Sequence, residues 1–168
     1  MATDQLEQFT DSLGRHEATW TGVSADDLPS ALDAVVEPPA VGVELPYGTV
    51  SLSDHGVELN PTPTELEAAA TGVTPVEAGI AQYGSLVLDS GTAAEPVSLF
   101  ADRHVAVLDA TDVVPDVAAA LETLGPAFRE AAESAVVATG PSATADMGGL
   151  VYGAHGPKAV HVLVVTDT

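Results

Sequence analysis

Leu6, Phe9 and Leu13 recur at i, i+3 and i+7 within residues 4–14, the stripe of an amphipathic helix that ends at Gly14. Ala18–Val23 reads as a strand carrying the only tryptophan, Trp20. Ser24, with Asp27 three residues on, forms a near capping box and predicts a helix start. That helix buries Leu28, Leu32, Val35 and Val36 and stops at Pro38-Pro39. Val41–Leu45 and Thr49–Leu52 predict short strands around the turn Pro46-Tyr47-Gly48, and Val57–Leu59 predicts a third. Thr62-Pro63 or Thr64 opens a helix through Ala70, which Gly72 ends. Thr74-Pro75 then has the form of an N-cap followed by a first-position proline, with Glu77 in the first turn, and predicts a helix that ends before Gly84.

Beyond Gly84 the apolar positions stop alternating. Ser85–Leu88, His104–Leu108, Ser134–Ala138 and Val160–Val165 are compact apolar runs, the pattern of strands buried on both faces. Residues 89–103, with Gly91 and Pro96, read as a loop. A helix to about Leu124 has Pro115 in its first turn and Val117, Leu121 and Leu124 on one face, and Pro126–Ala132 reads as a further short helix. Buried strands separated by helices predict an α/β fold with a mostly parallel sheet covered on both sides. There is no internal repeat and no low-complexity linker, so a single domain over 1–168 is expected.

Composition places this pattern in an unusual solvent. Twenty-five acids face four fixed cations, Arg15, Arg103, Arg129 and Lys158, for a formal charge of −21. The acids are scattered, and 46% of the residues are hydrophobic, which is enough for a core and argues against a disordered acidic chain. An acidic surface repels itself in dilute solution, whereas at molar salt the Debye length falls to about 3 Å and the repulsion is screened. The expectation is a cytoplasmic protein of a salt-accumulating halophile; the alternative is a mesophilic acidic protein. The charge argues against nucleic-acid backbones and anionic membranes. With no cysteine, the chain has no disulfide, thiolate zinc site or Cys-ligated iron–sulfur cluster of its own, and no cofactor is expected within it. The polar start (Thr3, Asp4, Gln5) predicts no signal peptide, and no apolar stretch is long enough to predict a membrane span.

Thr139–Pro157, TGPSATADMGGLVYGAHGP, lies between the last two apolar runs. A loop rich in glycine and hydroxyls between buried strands is a natural ligand site. A helix starting near Ser142 would turn free N–H groups and a positive dipole end toward an anion, with Ser142 and Thr144 beside it. The alternative is that either hydroxyl caps that helix, with Asp146 in its first turn. Asp146 is a candidate general base, metal ligand or loop-pinning acceptor. His155, in Gly-Ala-His-Gly-Pro, is either an acid/base near neutral pH or a hydrogen-bonded turn residue. His161 reads as strand packing. Neither His55 nor His104 has the spacing of a zinc ligand, and no metal site is expected.

Three blocks in order resemble the LUD domain, the lactate-utilization family that includes the LutC/YkgG-type proteins: GVTPVEAGIAQYGSLVL (Gly72–Leu88), SLFADRHVAVL (Ser98–Leu108), and GPSATADM (Gly140–Met147) followed by GAHGPKAVHVLVV (Gly153–Val165). The resemblance covers residues 72–165; residues 1–71 match nothing specific. It implies a three-layer α/β fold of the NagB/RpiA/CoA-transferase-like type, for which a homodimer is a fold-level expectation. It also implies a role in oxidation of lactate or a related organic acid, as an accessory subunit beside iron–sulfur partners. The alternative is a free-standing enzyme or sensor binding a phosphorylated, CoA-linked or nucleotide-like small acid. The expected ligand, an anionic small molecule, would meet Gly84, Ser85, Thr139, Gly140, Ser142, Thr144 and His155, with Asp146 and His155 as catalytic candidates. Three positions depart from the family pattern: Tyr83 for Thr, Ala143 for Arg and Gly148 for an acid. The change at Ala143 removes the side chain best suited to hold an anion in two parallel hydrogen bonds.

Overall fold

The structure is a computed structural model that describes residues 2–48, 50–131 and 134–167. In chain order its elements are α1 (Ala2–Arg15), β1 (Thr19–Val23), α2 (Leu28–Val35), β2 (Ala40–Gly42), β3 (Val57–Leu59), α3 (Pro63–Ala68), β4 (Thr71–Pro75), β5 (Ala78–Ile80) and β6 (Ser85–Asp89). They continue as α4 (Ala94–Phe100), β7 (Arg103–Asp109), β8 (Val113–Val114), α5 (Val117–Ala131), β9 (Ala135–Thr139), β10 (Ala143–Asp146), β11 (Gly149–Tyr152) and β12 (Ala159–Val165).

The centre is a six-stranded, fully parallel sheet in the order β1-β12-β7-β4-β2-β3. The inner strands β7 and β12 read as continuous apolar runs because both faces are buried, whereas the edge strand β1 is largely exposed. Val73, Val105, Val107, Leu163 and Val165 pack toward Leu28 and Leu32 of α2. Ala106, Leu108, Val160, Val162 and Val164 pack toward Phe9 and Leu13 of α1 and Leu86 and Leu88 of β6. A second, mixed sheet, β8-β5-β6-β9, lies over that second face. Its far side, Ala78, Ile80 and Val87, is covered by Ala120 and Leu124 of α5.

Several local expectations give way to this arrangement. The Thr74-Pro75 helix start is not a helix: residues 71–75 form a central strand, and Gly72 lies within it instead of ending a helix. Local capping signals lose here to burial of all of Thr71–Thr74 between β2 and β7. At Gly72 a Cβ would sit 2.3 Å from the Val97 carbonyl oxygen, so only glycine lets α4 approach this closely. The strand pair around Pro46-Tyr47-Gly48 does not form. β2 ends at Gly42 and pairs in parallel with β3, residues 52–55 make a 3₁₀ turn, and Thr49 lies outside the described residues.

Residues 94–100 of the expected loop are α4, with Pro96 in its first turn, where its missing N–H costs nothing. The helix to Leu124 and the one from Pro126 are a single α5 with Pro126 inside; Ala132 lies outside the described residues. Ser24 does not cap α2. Its hydroxyl binds the Asp27 carboxylate at 2.7 Å one turn earlier, and Asp27 occupies the cap position. Thr62 does cap α3, in a full capping box with Glu65.

Candidate functional site

The glycine-rich segment contains no helix. After β9 the chain turns at Gly140 (φ 63°), and β10 and β11 then leave the body as a two-stranded hairpin. Its tip, Met147-Gly148, has positive φ at both residues (47° and 84°), the two-residue turn whose twist matches a hairpin. The expected anion seat at a helix start near Ser142 is therefore not formed, and the backbone N–H groups there are committed elsewhere. Ser142 N–H donates to Pro157 O at 2.8 Å, and Gly153 N–H donates to Ser142 O at 3.0 Å. His155 N–H donates to Ser142 Oγ at 3.3 Å. Ser142 thus clamps the neck of the hairpin.

Beneath this neck lies a cavity of about 370 Å³ between β9, the neck, α4 and the amino ends of β7 and β12. Thr139, Gly140, Ser142, Thr144 and His155 all line it. Gly84 and Ser85 do not. Gly84 (φ 64°) lets the chain pass against α1, where a Cβ would lie 2.6 Å from the Leu13 amide nitrogen. Ser85 is buried and supports the wall from behind, its Oγ 2.7 Å from Thr139 Oγ1. Asp146 is on the hairpin, exposed and across from Gly149; it does not line the cavity and shares no site with His155. His161 is half-buried between β1 and β12, 2.7 Å from Thr19 Oγ1 and 3.2 Å from Thr21 Oγ1; burial and the Arg103 charge lower its pKa. Among the described residues no group of three or more His, Asp or Glu could hold a metal ion.

Sequence reasoning missed the floor of the cavity. His104, the second residue of β7, is 1% exposed yet lines it. Its Nε2 lies 2.8 Å from the hydroxyl of fully buried Thr74 on the neighbouring strand. Register explains the contact: Gly72 is opposite His104, so Thr74, two residues on, points to the same face. Burial pushes the His104 imidazole down to about 4, so it is neutral near pH 7. The available signal was a lone histidine in an otherwise apolar strand, HVAVL.

Among the described residues, none of those lining the cavity is Asp, Glu, Lys or Arg, in a chain of net charge −21. Its apolar wall is Leu86, Leu99, Val136, Ala138 and Val160. Lys158 turns away to Asp102, with Nζ 2.8 Å from Oδ1. Arg15 lies across the loop, in a separate groove shared with Thr139, Pro141 and Ala143. The chemistry on offer is hydroxyls, two imidazoles and an apolar wall. That set suits holding a small polar ligand, with His155 exposed at the cavity.

Fold and site together define an α/β protein of the three-layer, mostly parallel type, with its open cavity bounded by a hairpin neck and a small second sheet. The chain belongs to the LUD domain family, whose model matches residues 58–165. It is 30% identical to the Lactate utilization protein C of Deinococcus radiodurans, over 95% of this chain and 79% of that protein. Its fold is that of a DUF162 family protein of Deinococcus radiodurans solved by crystallography, with a TM-score of 0.77, 98% of each chain covered and 24% identity. No helix among the described residues is long and apolar enough to cross a membrane.

Proposed function

We propose that this chain serves lactate utilization as an accessory component that binds a small organic acid under the hairpin neck. One observation carries the reading: every residue lining the cavity, from Leu86 to Val160, falls inside the 58–165 stretch matched by the family model. The relative named Lactate utilization protein C supplies the process. With no cysteine here, Cys-ligated iron–sulfur clusters that pass on electrons would belong to partner subunits. The acid excess fits a cytoplasm that accumulates salt.

The test is a deletion strain grown on lactate or on sugar, together with tagged recovery of the protein from its host in concentrated KCl. The reading expects a growth defect on lactate alone and co-purifying partners. Normal growth on lactate together with a solitary protein would overturn it. A second reading, a small-molecule sensor without chemistry of its own, is favoured by the lack of a carboxylate among the described residues lining the cavity, Asp146 not being one of them. A lactate growth defect that a cavity-filling variant rescues fully would count against both.

A further inference from the structure

His104 offers more than a buried neutral ring. The hydroxyl of Thr74 has one partner, His104 Nε2, and Thr74 is fully buried. A buried hydroxyl proton without an acceptor costs about 1–3 kcal/mol. The arrangement that avoids this cost has Thr74 Oγ1–H donating to Nε2, which places the ring proton on Nδ1. Nδ1 itself has no partner among the described residues. Yet none of their side-chain nitrogens or oxygens is both sealed from solvent and unpaired. Nδ1 therefore keeps a small opening, and the space that reaches the ring is the cavity.

We infer that His104 is a specificity-determining residue whose Nδ1–H, fixed by Thr74, donates to a carboxylate or carbonyl oxygen of a small ligand. The rest of the cavity narrows the class. No fixed cation among the described residues lines it, so a phosphate or pyrophosphate, with more charge than a single carboxylate, would lose more hydration without a countercharge. Leu86, Leu99 and Val160 offer apolar contact to a short carbon chain. An acceptor-bearing small acid, or its neutral amide, satisfies the donor; a phosphorylated compound does not fit. This inference rests on the cavity being the ligand site, not on the metabolic role, which the growth test examines separately.

Nitrogen NMR of the histidine rings in the ¹⁵N-labelled full chain, in KCl, reads the tautomer directly. The unliganded protein should show His104 neutral at pH 7 with Nδ1–H favoured by about fivefold or more, the ratio that the unpaired-hydroxyl cost implies. Thr74→Val should abolish that preference and Thr74→Ser restore it, the amide spectrum reporting that each variant is folded. Lactate, pyruvate and lactamide, added singly, should each shift the His104 Nδ1 resonance in the wild type; inorganic phosphate should leave it in place. An Nε2–H tautomer, or one unchanged in Thr74→Val, would overturn the donor assignment. A resonance unmoved by all three carbon ligands, or moved by phosphate, would overturn the ligand class.

Discussion

Acid should destabilise this protein through His104, and the size of the effect can be worked out. The ring titrates near 6.5 in the unfolded chain and at about 4 in the fold, because burial disfavours the cation. The folded pKa is depressed, so between these values the unfolded state holds a proton that the folded state lacks. Stability therefore rises with pH through this window and is lost as pH falls. Over the whole interval the loss is roughly 3 kcal/mol, and between pH 7 and pH 5 about 2 kcal/mol. Other groups titrate there too, His161 among them, so the quantity to measure is a difference. Urea unfolding of the wild type and of His104→Phe, at fixed molar KCl and at pH 7, 6 and 5, isolates it. The wild-type advantage over the variant should shrink by about 2 kcal/mol from pH 7 to pH 5. An advantage that stays constant within about 0.5 kcal/mol, the usual error of additivity, would mean that the ring is not held neutral in the fold.

Gly72→Ala should cost about 3 kcal/mol or more, because the new methyl meets backbone at the Val97 carbonyl and cannot be relieved by a rotamer change; thermal unfolding in KCl would show it, and a neutral result would mean that α4 is not seated on β4 as described. Raising KCl from low to molar concentration should raise the melting midpoint as repulsion among the acids is screened, and a flat midpoint would remove the case for salt adaptation.

What was legible in the sequence follows the strength of local signals. The Leu6, Phe9, Leu13 stripe of α1 and the helix start at Thr62-Pro63 or Thr64 need only neighbours in the chain; the stripe stands, and of the two starts Thr62 is the cap of α3. The runs of β6, β7 and β12 were legible because burial on both faces removes alternation, whereas β9, read the same way, is only partly buried and leaves Val137 exposed at the edge of the second sheet. Burial does not say which sheet a strand joins. Ser85–Asp89 and Ala135–Thr139 pair antiparallel in the second sheet and not in the central one. Thr74-Pro75 misled because a helix start and a strand end can share those residues, and the surrounding strands decide between them. At the site, the residues of the loop were legible as a cluster, but the Thr74–His104 pair was not. Those two positions are 30 residues apart and meet only through the register of β4 and β7.

The position of the cavity also has a physical consequence. Open parallel sheets usually hold ligands at the carboxyl ends of their strands. Here the cavity reaches His104 and Val160, each the second residue of its strand, at the amino ends. The second sheet and the hairpin neck supply the walls that helix starts and crossover loops supply in the usual arrangement. Such a site gains nothing from helix dipoles, and position 143 is alanine where the resemblance to the family implies arginine, so under the proposed reading recognition falls to neutral donors: the buried Nδ1–H of His104 and the more exposed hydroxyls of Ser142 and Thr144. In concentrated salt that substitution costs little. Attraction between an exposed arginine and an anion is screened beyond about 3 Å at molar ionic strength, whereas a donor inside a low-dielectric wall keeps its strength. In a chain with a net charge of −21, a cavity with no carboxylate among its described lining residues also spares an anionic ligand direct repulsion. Replacing Ala143 by arginine should therefore strengthen binding of a small carboxylate in dilute buffer much more than in molar KCl. Equal gains in both, measured by titration calorimetry, would show that the site relies on charge after all.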